Sequence, residues 1–253
     1  MSAVATTMKE VPVLMSATES AGQPAGGLAP LAVRPDNLTS LVFAAIRDKI
    51  VDATLPPGSS VSEASLAKQL QVSKTPVREA LLQLRHVGLV EPAGRGLRVI
   101  QPSVKGIRDA FEFRAGLEEM AGRYAANRST EQEYERIYAL AQESLIAANE
   151  GRHDDFHKSD REFHAAIAKA ARNERLIEAV GDSFILTLAL RQRDVKVERD
   201  FVPDAHEHMK IAEGIRAGDA ELASSRLSGH IQRIMMQLLE AHPHASAGGD
   251  TDA

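Results

Sequence analysis

The ten residues "VSKTPVREAL", Val72–Leu81, decide how the first hundred residues fold. Ser73 or Thr75 supplies an N-cap oxygen, and Pro76 falls in the first turn, where its missing N–H costs nothing. Val77, Ala80, Leu81 and Leu84 recur at helical spacing, and Gly88 ends the run where a left-handed residue is favoured. The stretch therefore predicts a short helix with one apolar face, whose N-terminal end carries Ser73, Lys74, Thr75 and Arg78.

Upstream, a helix opening near Asp36/Asn37 places Leu38, Val42, Ala45, Ile46 and Ile50 on one face. "LPPG" at Leu55–Gly58 breaks the chain, and Ser62 caps a second short helix bearing Leu66 and Leu70. Gln71–Val72 makes the turn into the third. Downstream, "LVEP" and "LRVI" are β-prone runs around "AGRG", a hairpin with Arg95 between two glycines at its tip. Three short helices and a hairpin predict a winged helix-turn-helix over residues 34–101. Such a third helix fits the major groove and offers its N-terminal residues to base edges. Lys74, Thr75 and Arg78 then reach phosphates or guanine acceptors, and Arg95 approaches the DNA backbone or minor groove.

Charge agrees with that reading. Residues 34–101 carry nine Lys/Arg against six Asp/Glu, a net of +3, within a chain of net charge −5. A mildly basic segment beside a larger acidic one fits a nucleic-acid reader joined to a second kind of domain. Residues 1–33 and 242–253 are rich in small residues, Gly and Pro without a period, and read as a disordered arm and tail. Cysteine is absent, which excludes thiolate ligands and disulfides and restricts any metal site to N and O donors. No apolar run approaches the roughly 18 residues that span a bilayer, and no signal-peptide pattern opens the chain. A cytoplasmic protein is expected.

Residues 58–100, "GSSVSEASLAKQLQVSKTPVREALLQLRHVGLVEPAGRGLRVI", resemble the DNA-binding domain of the GntR family of bacterial transcriptional regulators. "VSKTPVREAL" is similar to that family's "VSRTPVREAL". The resemblance implies that Ser73, Lys74, Thr75, Arg78, Arg95 and Gly96 contact operator DNA. Two positions depart from the pattern: Ala64 stands where an arginine is common, and Lys74 is a point donor where the family has a bidentate arginine.

Residues 102–241 read as six helices, near 104–127, 131–150, 153–171, 173–195, 203–217 and 219–240. In the third, Phe156, Asp160, Phe163, His164 and Ile167 share one face, so "DREFH" turns Asp160 and His164 inward while Arg161 and Glu162 read as helix surface. In the fifth, His208 lies in line with Ile211, Ala212 and Ile215, whereas His206 falls on a wetter side. In the sixth, His230 lies among Ala223, Leu227, Ile234 and Leu238. Buried polar groups need partners, and one divalent cation of the Zn, Ni or Mn type would satisfy Asp160, His164, His208 and His230 together. This half is similar to the FCD effector domain of the FadR subfamily, VanR-like branch, which implies a metal beneath an effector cavity.

Arg114 occupies the stripe of Ile107, Ala110, Phe111, Leu117 and Ala121. An inward cation wants an anionic partner, either an effector carboxylate or Glu118 at i+4. Arg191, in register with Val180, Phe184 and Leu188, is a second effector candidate or a residue of a frayed helix end. The resulting expectation is a homodimeric regulator, more often a repressor, of double-stranded operator DNA controlled by a small organic acid, with no membrane partner. A metal-dependent hydrolase or oxygenase with an N-terminal docking domain is the alternative. Against it, no "HExxH" is present, because "HEHMK" spaces its histidines by two, and Glu162 projects off the Asp160/His164 face. No catalytic residue is expected.

Overall fold

The structure, a computed structural model, describes residues 36–194 and 200–241. The arm and tail read from composition at 1–33 and 242–253 lie outside the described residues. The mainly α architecture is the predicted one: a winged helix-turn-helix followed by a six-helix bundle.

Helix α1 (Asp36–Val51) buries Val42, Ile46 and Ile50. Helix α2 (Glu63–Leu70) starts at Ser62, whose Oγ accepts from the Ser65 N–H at 3.3 Å. It ends on Gln71 in the left-handed region, φ 54°, at a position with no glycine to announce it. Helix α3 (Lys74–Val87) has Ser73 at its N-cap position, although that hydroxyl makes no capping bond, and Gly88 closes it at φ 86°.

The wing is built from β2 (Val90–Ala93) and β3 (Gly96–Val99), antiparallel, with Val90 opposite Val99 and Glu91 opposite Arg98. The Glu91–Arg98 pair is also ion-paired across the strands at 2.7 Å. A two-residue strand, β1 (Ser60–Val61), joins the far edge of β3, giving the order β1-β3-β2. Two residues show no period in the sequence, and the pairing of β1 comes from a non-local partner.

The bundle comprises α4 (Val104–Arg128), α5 (Glu131–Asn149), α6 (His153–Ala170), α7 (Glu174–Asp194), α8 (Val202–Arg216) and α9 (Ala220–Ala241). Thr130 and Glu133 form a reciprocal capping box that opens α5. Asp219 caps α9 through the Leu222 N–H at 3.0 Å, just after Gly218 turns the chain at φ 66°. Helix α4 packs along α9 at close range: a Cβ on Gly122 would sit 2.5 Å from Leu227 Cδ1 and 3.1 Å from the Ala223 carbonyl oxygen.

Three apolar clusters hold this half and its neighbour together, and α7 enters each of them. Leu176 and Val180 join the core around Ile137, Phe163 and Ile211. Leu190 joins the one around Ile107, Phe111 and Ile234. Ala189, fully buried, belongs to the core of the winged domain with Ile46, Leu84 and Val99, and Ile185 and Leu186 pack against it. The two domains thus share one helix as well as a linker.

Candidate operator-binding face and metal centre

At the N-terminus of α3, Ser73, Lys74, Thr75 and Arg78 are all exposed, and Arg95 and Gly96 are exposed at the wing tip, where Gly94 takes φ 57°. The structure therefore places all six on the outer surface of the winged domain. Arg78 is engaged: its Nε and Nη2 donate to Glu63 of α2 at 3.1 and 2.8 Å. Glu63 pairs with the exposed guanidinium, and a DNA phosphate would compete for it.

The second constellation lies inside the bundle. Asp160 and His164 come from α6, His208 from α8 and His230 from α9, all four buried, with their ligand atoms within 4.8 Å of one another. Asp160 Oδ1 stands 3.5 Å from His164 Nε2 and 3.3 Å from His208 Nε2. With bonds of about 2.1 Å, two donors on one ion lie about 3.0 Å apart at a right angle and about 4.2 Å apart when opposite. The observed spacing is that shell, slightly opened.

Each imidazole is oriented from behind. His164 Nδ1 meets Glu118 Oε2 at 2.9 Å, and His230 Nδ1 meets Glu207 Oε2 at 2.7 Å. A carboxylate only accepts, so both Nδ1 atoms carry the proton. His208 Nδ1 lies 3.1 Å from Ser144 Oγ, whose own hydroxyl donates to the Ala141 carbonyl at 2.8 Å. That hydroxyl has one proton, already given, so His208 is also protonated at Nδ1. With Nδ1 protonated, a neutral ring turns a bare Nε2 lone pair into the cluster, and none of the three Nε2 atoms has a hydrogen-bond partner among the described residues. Orphaned buried acceptors are costly in a folded chain. The donor set, three imidazoles and a carboxylate, fits a borderline divalent cation.

The titration behaviour follows the same geometry. Burial would raise the Asp160 carboxyl, but the imidazoles of His164 and His208 beside it hold it well below the usual range. Burial would likewise raise Glu118, yet His164 and Arg114 hold it at about 2. Burial depresses His208, and it depresses His230 to about 4 despite Glu207. At His164 burial works downward, and Glu118 and Asp160 overcome it, so this ring is raised. Two of the three histidines are thus neutral ligands in waiting, and the third must yield a proton to bind a cation.

Arg114 is buried and paired with Glu118 Oε1 at 3.2 and 3.1 Å; its Nη1 donates to Thr187 Oγ1 at 3.0 Å, and it lies over the Phe184 ring at 4.4 Å. Glu118, one of the two partners open to it in sequence, is within hydrogen-bond reach. Arg191 donates to Asp204 at 3.4 Å and lies over Phe201, so it is not at a frayed, solvent-facing end. Asp204 also accepts from Arg233 at 2.6 Å, and Arg233 reaches Glu207 at 2.6 and 2.5 Å. Sequence alone does not reveal that Glu118, Ser144 and Glu207 stand behind the three imidazoles. Glu118 and Ser144 did carry a signal, since both are polar residues in apolar helical registers. Glu207 is half-exposed and carried none.

A winged reading head joined to a helical bundle that gathers histidines defines a two-domain transcriptional regulator. Residues 38–99 match "Bacterial regulatory proteins, gntR family", and residues 109–233 match the "FCD domain". The chain belongs to the GntR family, in its FCD-bearing group. It is 32% identical over 217 residues to the "Probable D-xylose utilization operon transcriptional repressor" of Paenarthrobacter nicotinovorans, covering 83% of this chain and 92% of that one. It is also 32% identical over 190 residues to the Nta operon transcriptional regulator of Aminobacter aminovorans, covering 73% and 86%. Among solved structures, E. coli McbR/YncC matches with a TM-score of 0.68 at 22% identity over 80% of this chain and 97% of that one. A GntR regulator from Rhodococcus sp. RHA1 matches with a TM-score of 0.65 at 24% identity, over 81% and 99%. The chain is a DNA-binding transcriptional regulator and not an enzyme. Among the described residues no helix is long and apolar enough to cross a membrane.

Proposed function

We propose that the protein is a cytoplasmic repressor that binds a two-fold-symmetric operator as a homodimer, and that a small carboxylate bound near a metal in the helical domain controls its affinity. The observation that carries the metal half is the clustering of three buried, unpartnered Nε2 atoms with the Asp160 carboxylate. Asp160, His164, His208 and His230 would hold the ion. When bound it would supply Lewis-acid positions for a carboxylate oxygen. The surrounding residues do the positioning: Glu118, Ser144 and Glu207 fix the imidazoles, and Phe163 stacks on His208 with ring centroids 4.5 Å apart.

Operator contact would fall to Lys74, Thr75, Arg78 and Arg95, with Ser73 and Gly96 approaching by backbone. Their exposure and the basic balance of the winged domain support this. Phe113 and Met120, one above the other on α4 and exposed, support a self-association face. In this reading Arg114 and Arg191, now paired with Glu118 and Asp204, are the cations that an effector carboxylate would meet. Effector binding would then shift the population between two settings of the reading heads.

The test is elemental analysis with an operator-binding assay. The purified protein should carry about one divalent ion per chain, His208→Ala should lose it, and organic acids should change operator affinity only in the loaded wild type. Metal-free wild type responding fully to an acid would overturn the metal-centred control.

A further inference from the structure

A cavity of about 280 Å3 lies between α1 of the winged domain and α6 and α7 of the bundle. Its body is apolar: Val51 comes from α1, Ala168 from α6, and Ile177, Val180, Phe184 and Leu188 from α7. His164 forms part of the wall, but its two nitrogens are turned to Glu118 and to the Asp160 cluster, so the cavity meets ring carbon. The polar residues are three. Arg47 and Asp48 neutralise one another, Nε and Nη2 reaching Asp48 Oδ1 at 2.9 and 2.8 Å. Arg161 is exposed at the mouth and has no ion-pair or hydrogen-bond partner among the described residues.

We propose that this cavity is a ligand site for a monocarboxylate with an apolar body of about eight to twelve heavy atoms, its carboxylate held by Arg161 and its body lying between α1 and α7. Size, lining and charge each point to that class. A dry apolar cavity of about 150 Å3 accepts benzene, and this one has nearly twice that volume. A single uncompensated guanidinium at the mouth selects an anion, and a planar fork suits a carboxylate. No metal-ligating atom takes part, so the site is separate from the metal-centred control proposed above.

Its position gives it a consequence for DNA. The face of α1 opposite Arg47, Asp48 and Val51 buries Val42, Ile46 and Ile50 in the core of the winged domain. A ligand in the cavity touches both domains and stabilises the orientation in which the walls meet. By linkage, operator DNA that prefers or disfavours that orientation changes ligand affinity by the same factor.

Gly181 permits a clean test. It lines the cavity, and a Cβ there meets nothing within 4 Å, so Gly181→Phe fills the space from a helical position without a backbone clash. Octanoate and its uncharged counterpart octanamide are titrated calorimetrically into the full-length protein, with and without chelator. Octanoate should bind on the order of tenfold tighter than octanamide, because charge-assisted pairing is lost in the amide. Arg161→Gln should bring octanoate to the level of the amide. Gly181→Phe should abolish both while leaving the melting temperature unchanged or higher, since it also removes a helical glycine. Chelator should leave binding intact. The proposal is overturned if octanoate fails to bind the wild type at millimolar concentration, or if it binds Gly181→Phe unchanged. It is also overturned if Arg161→Gln has no effect, or if chelator abolishes binding, which would transfer the ligand to the metal centre.

Discussion

The Arg114–Glu118–His164 chain makes an asymmetric prediction about stability. Glu118 is fully buried and has two charged neighbours, Arg114 at 3.1 Å and His164 at 2.9 Å. Arg114 has one, its other contacts being the neutral Thr187 hydroxyl and the Phe184 ring. Glu118→Gln keeps the volume and one acceptor oxygen but strands a buried guanidinium, a class of change that costs about 3–5 kcal/mol. Arg114→Met leaves Glu118 still paired with His164 and replaces the cation by an apolar side chain of similar length. Its cost should be about half as large. The double variant removes both charges, so its cost should fall short of the summed singles by about 1–2 kcal/mol.

Urea unfolding of chelator-treated protein at pH 7, followed by helical circular dichroism, gives all three values. If Arg114→Met costs as much as Glu118→Gln, or if the two effects add, the buried pair is not the unit described here. The same Glu118→Gln protein should bind a divalent ion about 10- to 100-fold more weakly, because His164 Nδ1 loses the carboxylate that orients it.

Arg78→Ala should weaken operator binding strongly and reduce the slope of log affinity against log salt by about one, with metal content unchanged; an unaltered slope would remove Arg78 from the DNA contacts. In acid, the depressed Glu118 carboxyl contributes stability that is complete above its ordinary pKa near 4.5 and drains away as pH falls through about 2. The urea midpoint of metal-free protein should therefore drop over that window, and Glu118→Gln should flatten the drop; equal acid sensitivity of the two would refute the assignment. Gly122→Ala should destabilise the protein by about 1–3 kcal/mol, despite better helix propensity, because the new methyl meets Leu227 and the Ala223 carbonyl. A neutral or raised melting temperature would show that α4 and α9 can part at no cost.

The winged domain was legible because its punctuation is local. Ser62, Pro76, Gly88 and Gly94 each act within a turn or two of themselves, and α2, α3 and the hairpin fall where those residues put them. The buried His/Asp cluster was legible for a different reason: a polar residue in an apolar register announces itself, and Asp160, His164, His208 and His230 all do. Such a register says which way a side chain points but leaves its partner unnamed. Arg114 showed its inward direction, but register does not reveal that it packs between Glu118, Thr187 and Phe184. Arg191 reads in sequence either as an effector candidate or as a helix end, because its partner Asp204 lies across a helix boundary. Arg161 was read as surface, which is true of its exposure; that it borders a cavity follows only from where α1 of the other domain comes to rest.

Helix α7 restricts how any signal can pass between the domains. A reader tethered only by residues 101–103 could swing without disturbing the bundle. Here Ala189 is fully buried in the winged core, and Ile185 and Leu186 pack against that core, while Leu190, one position on, is buried among Ile107, Ile231 and Ile234. Rotating the reader as a rigid body would expose the first group or drag the second. The motion that conserves most buried area is a small slide of α1 and α3 along α7, of the kind packed helices make by shear. Phe184 lies on the same helix, with Arg114 over its ring and His164 at 5.8 Å between ring centroids. The residues that orient His164 therefore touch the helix along which the DNA-reading domain would slide, so a signal from the proposed metal centre would reach the reader through these packing contacts rather than through the linker.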